Sequence, residues 1–250
     1  MEEEFKSPIR SSDLVENMLI RAVLQGEYPP GSELPPERDL AAKLGVGRPT
    51  LREVIQRLER DGWFTVRKGQ HTLVNDFWRE GNLNTLVNIV QSSEEVPEDF
   101  IINLLEVRSV LAPAYVKDAV HSCPAKVVAA LTEIDELKDA AEVFALFDWQ
   151  LQIKLVYLAK NPIYRLMLNS FGAIYVQAAR RYFMIRENRQ LSRQFYQDLL
   201  AAAMASDYQK SERVTKEVME AVLRNYKNQV SRRRMLEEGF DNETMERMGR

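Results

Sequence analysis

The chain carries one cysteine, Cys123, and two histidines, His71 and His121, among its 250 residues. A lone thiol rules out an intrachain disulfide and leaves no thiolate cluster for zinc, which suits a reducing compartment. No run of about 18 apolar residues exists, so no membrane span is expected. The opening MEEEFKSPIR is acidic and lacks the apolar core of a signal peptide. A cytoplasmic protein is therefore expected. Excess positive charge is also missing: the net charge of −3 argues against a histone-like coat protein. No glycine-rich phosphate loop, serine–histidine–aspartate set or cysteine–histidine pair is present, so no enzyme is expected.

What is present is an ordinary globular balance, 45% hydrophobic and 28% charged, which permits a sizeable core. The charge is unevenly placed. Between positions 48 and 68 the cations are Arg48, Arg52, Arg57, Arg60, Arg67 and Lys68, against Glu53, Glu59 and Asp61. A basic face on an acidic chain suits a site-specific DNA binder, which wants phosphate attraction on one side only. A solvated helix face would give the same pattern.

Leu14, Val15, Met18, Leu19, Ala22 and Val23 have helical spacing within a first helix, Ser12 to Leu24. Gly26 ends it, and the turn Tyr28–Gly31 cannot continue it. Pro35-Pro36 opens a second helix running to Leu44, since a proline N–H is not missed in a first turn. Gly45–Gly47 is a break. A third helix runs from Arg48 or Pro49 to Asp61, burying Leu51, Val54, Ile55 and Leu58, and Gly62 stops it. Two short strands, 63–66 and 72–74, flank a basic glycine-containing tip at 67–71. This order is a winged helix-turn-helix, assigned to 1–78, with a joint at Asn75–Gly81. The rest reads as helix, over 83–91, 98–120, 125–139, 141–159, 162–185, 190–204 and 208–235. An all-α body over 79–236 and a polar tail over 237–250 complete the expectation.

A recognition helix offers its N-terminal residues to base edges in the major groove. That places Arg48, Thr50 and Arg52 there: either arginine can pair bidentately with guanine, and the threonine hydroxyl can reach phosphate. Arg38, on the preceding helix, is a further candidate for base or backbone contact. At the wing, Lys68 supplies charge and Gly69 close approach in the minor groove. Arg57 and Arg60 are left as surface or packing residues.

The stretches PPGSELPPERDL (29–40), LGVGRPTLREV (44–54) and LERDGW (58–63) resemble the GntR family of bacterial regulators over the whole head. The resemblance implies a homodimer on a pseudo-palindromic operator, base contacts from Arg38, Arg48 and Arg52, and a minor-groove wing at Lys68-Gly69. Gly47 and Pro49 stand where some relatives carry threonine, so operator preference need not be shared.

The body is similar to the FadR branch of that family and its fatty-acid-responsive members. The supporting stretches are VNDFW (74–78), NLLEVR (103–108), NPIY (161–164) and RYF (181–183). This implies a long-chain fatty acyl-CoA effector that loosens DNA binding; a carboxylate metabolite, or no effector, is the alternative. Tyr164, Leu168, Phe171, Tyr175 and Tyr182 share one helix face, which can line an acyl tunnel or simply be core. Arg108, on a mostly apolar helix, needs a partner if buried: an effector phosphate or carboxylate, or an acid such as Asp148. Glu220 is counted with the effector-facing residues. The stretch VTKEVMEAVLRNY (214–226) departs from the acyl-CoA-responsive pattern, with Val218 where glycine is expected and Tyr226 in place of tryptophan. Many relatives hold a metal through an aspartate and a histidine four residues later. Here Gln152 follows Asp148 at that spacing, His71 belongs to the wing and His121 to a helix end, so no metal and no resident cofactor are expected. The enzymatic branch with an aminotransferase-type body needs a far longer chain.

Overall fold

The computed structural model describes residues 11–93 and 96–237. The chain divides into two compact units, Met1–Val96 and Pro97–Arg250. Residues 238–250, most of the expected polar tail, lie outside the described residues.

In the first unit, α1 (Ser11–Leu24), α2 (Glu37–Leu44) and α3 (Arg48–Arg60) precede β1 (Phe64–Thr65) and β2 (Leu73–Val74). Val15, Leu19, Leu40, Leu51, Val54 and Leu58, which helical spacing puts on the inner faces, are buried at the centre together with Trp63 beyond the end of α3. Leu14 and Met18, counted with them in the sequence, are half exposed. Pro36 sits one position before α2, as its N-cap. Gly45, at φ +69, ends α2 in the left-handed conformation that favours glycine.

The hairpin is shorter than its β-branched and aromatic run suggests. Only Phe64↔Val74 and Thr65↔Leu73 pair, antiparallel. The Trp63 N–H is spent on the Leu58 carbonyl at the end of α3 (2.9 Å), and the Val66 N–H on the Glu59 carboxylate (3.0 Å). Both flanking donors are thus satisfied outside the ladder.

The expected joint holds α4 (Phe77–Glu80), and α5 (Leu83–Ser92) follows. Asn82 and Thr85 form a capping box at the start of α5. Asn84 and Asn88 of α5 donate to the buried Asp61 carboxylate at 3.1 and 3.3 Å, and the Thr85 hydroxyl donates to the Asp61 carbonyl. These bonds tie α5 to the end of α3, so residues beyond 78 pack with the head.

Among the described residues the second unit's regular structure is all helix: α6 (Glu98–Ser122), α7 (Pro124–Leu131), α8 (Ala141–Leu158), α9 (Pro162–Ser170), α10 (Gly172–Phe183), α11 (Arg186–Met204) and α12 (Tyr208–Glu237). Its core joins Val116, Val120, Leu131, Phe144, Leu155 and Tyr196 from α6, α7, α8 and α11. The helix expected over 125–139 stops at Leu131. Arg193 of α11 donates to the carbonyls of Ile134 and Leu137 (2.7 and 2.6 Å) and lies over the Phe144 ring, satisfying a turn that helix would otherwise have to satisfy itself. The helix expected over 162–185 breaks at Phe171. A Cβ on Gly172 would stand 3.0 Å from the Trp149 ring, so at this bend glycine leaves room that a side chain would crowd. Among the described residues no helix is long and apolar enough to cross a membrane.

Candidate nucleic-acid interface and ligand cavity

The start of α3 has no side-chain cap; Gly47 precedes it in extended conformation. Arg48 is exposed and Thr50 half-buried at this end, as an approach to DNA requires. Arg52, one turn on, is exposed and donates through Nε to Glu37 Oε2 of α2 at 2.6 Å. Arg38 likewise donates through Nε to Asp39 at 2.9 Å. Lys68 and Gly69 stand at the exposed hairpin tip, with Gly69 at φ +79 and open space around it. A groove runs between the start of α2, the outer side of α3 and the hairpin. Glu37, Arg52, Gln56, Lys68, Gly69 and His71 border it. The structure thus brings Arg52, Lys68 and Gly69 together, while Arg38, Arg48 and Thr50 are not among the residues bordering the groove. At the far end of α3 the cations are neutralised within the unit: Arg57 pairs with Glu16 of α1 at 2.9 Å, Arg60 with Asp61 at 3.1 Å.

The second unit holds a cavity that opens to the surface. Its walls come from α6, α9, α10, α11 and α12, with Asp148 of α8 at one side, and are mostly apolar and aromatic, with Leu104, Leu111, Met167, Phe171, Phe195 and Val222 among them. Of the residues proposed from sequence, Arg108, Tyr164, Phe171, Tyr175 and Tyr182 all line it. The aromatic stripe therefore survives the break between α9 and α10, because the bend keeps both helices on the same wall. Glu220 does not reach it. It is exposed on α12, whereas Val218, Met219, Val222 and Tyr226 face inward.

One polar cluster interrupts this lining. Arg108 of α6 lies 3.3 Å from Asp148 of α8. The Asp148 carboxylate also accepts from the Tyr196 hydroxyl (3.0 Å), the Gln152 amide (3.5 Å) and the Tyr175 hydroxyl. Tyr115 donates to Gln152 at 2.5 Å, and the Arg108 guanidinium sits 4.8 Å from the centre of the Tyr175 ring. Of the partners weighed for Arg108, the acid Asp148 is the one observed. Burial, with the Asp148 charge behind it and Arg108 opposing, pushes the Tyr115 hydroxyl up to about 12. The Tyr182 hydroxyl is different. It is buried without a hydrogen-bond partner, and burial pushes its pKa up. Asn225 lies close enough to lower that pKa but makes its hydrogen bond to Asn188 (3.1 Å).

Sequence reasoning missed Tyr115, Tyr196 and Phe195. Tyr196 and Phe195 sit on a helix rich in charge, and its apolar face, Leu191, Phe195 and Leu199, was the available signal. The pairing of Tyr115 with Gln152 spans α6 and α8 and leaves no local trace.

Residues 12–74 match the family described as bacterial regulatory proteins, gntR family, and residues 75–232 match the FadR C-terminal domain. The chain belongs to the GntR family, with a FadR C-terminal domain. Relatives of this GntR chain include a "Fatty acid metabolism regulator protein" of Shewanella pealeana, 39% identical over 197 residues, which are 79% of this chain and 82% of the relative. Another protein of that description, from Pasteurella multocida, is 39% identical over 186 residues, 74% of this chain and 77% of the relative. Among solved structures, the Lar protein described as controlling the Listeria monocytogenes agr system shares the fold. It has a TM-score of 0.58 and 18% identity over 90% of this chain and 99% of that one. The family boundary at 74/75 falls before α4, whereas packing places α4 and α5 with the head.

Proposed function

We propose that this GntR-family protein is a DNA-binding regulator of fatty-acid metabolism whose helical body takes up a long-chain fatty acyl-CoA and thereby releases its operator. The observation that carries the reading is the state of Arg108. It is the single cation among the cavity-lining residues, and Asp148 already neutralises it. A small carboxylate metabolite would meet apolar walls and one cation, Arg108, whose charge Asp148 offsets although its Nε–H is unpartnered, which disfavours burying a further charge there. An alkyl chain meets the surface it needs. The unpartnered Tyr182 hydroxyl supplies one donor for a carbonyl oxygen within that surface. The descriptions of the relatives as fatty acid metabolism regulators point the same way.

The protein binds as a homodimer to a pseudo-palindromic duplex operator, in the cytoplasm and without enzymatic activity. Calorimetric titration of the purified chain with oleoyl-CoA, repeated as a mobility shift on operator duplex, tests the reading. Heat of binding with loss of the shifted band is expected at micromolar ligand. No heat and an unchanged shift would sink the acyl-CoA assignment.

A further inference from the structure

A carboxylate in the DNA-facing groove is out of place electrostatically. Glu37 borders the groove together with Arg52, Lys68 and Gly69, where it opposes the attraction of phosphate. Its side chain is not spent on its own helix; Oε2 accepts the Arg52 Nε–H at 2.6 Å, across from α2 to α3.

A guanidinium has one Nε–H and two Nη amino groups in a rigid plane. Fixing Nε to Glu37 restricts the guanidinium plane while leaving the edge formed by Nη1 and Nη2 for another acceptor, and that two-pronged edge is suited to guanine O6 and N7. Without the carboxylate, Arg52 is a flexible exposed cation whose easiest partner on a duplex is the nearest phosphate. Arg38 also donates through Nε to a carboxylate, Asp39 at 2.9 Å, but there the acid is its own neighbour on α2.

We propose that Glu37 is a specificity-determining positioning residue: it orients Arg52 toward a base edge and withholds it from phosphate. This rests on the reading of α3 as the base-contacting helix. Glu37 therefore lowers affinity for arbitrary duplex and raises the ratio of specific to non-specific binding.

The test selects duplexes from a randomised library with the full-length wild-type chain, with Arg52→Ala, and with Glu37→Ala, Glu37→Asp and Glu37→Gln. Wild type should enrich guanine at one position in each half-site, and Arg52→Ala should lose that preference. Glu37→Ala should lose it too, while binding a scrambled duplex several-fold more tightly and with a salt slope steeper by about 1. Glu37→Asp keeps the charge in the first turn of α2 but falls short of Arg52, so it should also lose the preference. If the acid merely complemented the helix dipole, that variant would behave as wild type. Glu37→Gln retains an oxygen acceptor for Nε and should restore much of the preference. Should Arg52→Ala lose the guanine preference while Glu37→Ala and Glu37→Asp keep it, the role of Glu37 is overturned and base reading by Arg52 stands. Retention of the preference by Arg52→Ala would overturn both. Melting by circular dichroism confirms that each variant is folded.

Discussion

Arg108 of α6, partly buried, and Asp148 of α8, buried, form an ion pair 3.3 Å apart at the side of an otherwise apolar cavity. The two partners are not equivalent. Asp148 also accepts from Tyr196, Gln152 and Tyr175, and a carboxylate can take up a proton, whereas arginine cannot lose one. Asp148→Leu should therefore cost about 3–5 kcal/mol of stability, and Arg108→Met clearly less. The double variant should cost less than the sum of the two, as no unpaired charge then remains and only neutral donors, the Tyr175 and Tyr196 hydroxyls and the Gln152 amide, lose their acceptor. Urea unfolding of the three proteins measures this, and equal losses for the two single variants would contradict it.

Tyr115, Tyr175, Tyr182 and Tyr196 all have raised pKa values, in each case with burial as the first cause. The folded state holds these protons more tightly than the unfolded state, whose tyrosines ionise near pH 10. The stabilisation is complete below that pH and is lost as pH rises through the folded values, about 12 for Tyr115. Phenolate absorbance from these four should thus appear together with loss of helical circular dichroism. Smooth ionisation near pH 10 with the helix intact would count against the buried network.

Gly62 has φ +86, and a Cβ there would stand 2.3 Å from the Glu80 carbonyl oxygen. Gly62→Ala should lower stability by more than the roughly 1–2 kcal/mol of the left-handed conformation alone, and loosen α4 from the end of α3. A thermal melt within a degree of wild type would refute this.

Val218 lines the cavity from α12 and is 6% exposed. Val218→Ala removes about two methylene equivalents of burial, roughly 1–2 kcal/mol, and opens space in the cavity wall. Oleoyl-CoA should bind more tightly despite the lower stability. Calorimetry showing weaker binding would mean that Val218 packs on the chain instead of restricting it.

Arg48 stands exposed at the start of α3. Arg48→Ala should weaken operator binding by roughly 1–3 kcal/mol and relax selectivity at one position per half-site. Full, sequence-selective affinity at fixed salt would remove Arg48 from the reading set.

The head was legible along the chain because its signals are local. Gly45 ends α2 by its own φ preference, Pro49 suits the first turn of α3, and Leu51, Val54, Ile55 and Leu58 mark the buried face by spacing alone. Composition and periodicity likewise made the body helical. They could not place the end of α7, which depends on Arg193 reaching back from α11, or the bend at Gly172, which depends on the Trp149 ring of α8. The same holds for the cavity. Spacing put Tyr164 to Tyr182 on one face, but only packing decided that Asp148 neutralises Arg108, that Glu220 faces outward and that Glu37 holds Arg52. Local periodicity determines which side of a helix is apolar. The partner of a buried charge is chosen by elements distant in sequence, and no local pattern records that choice.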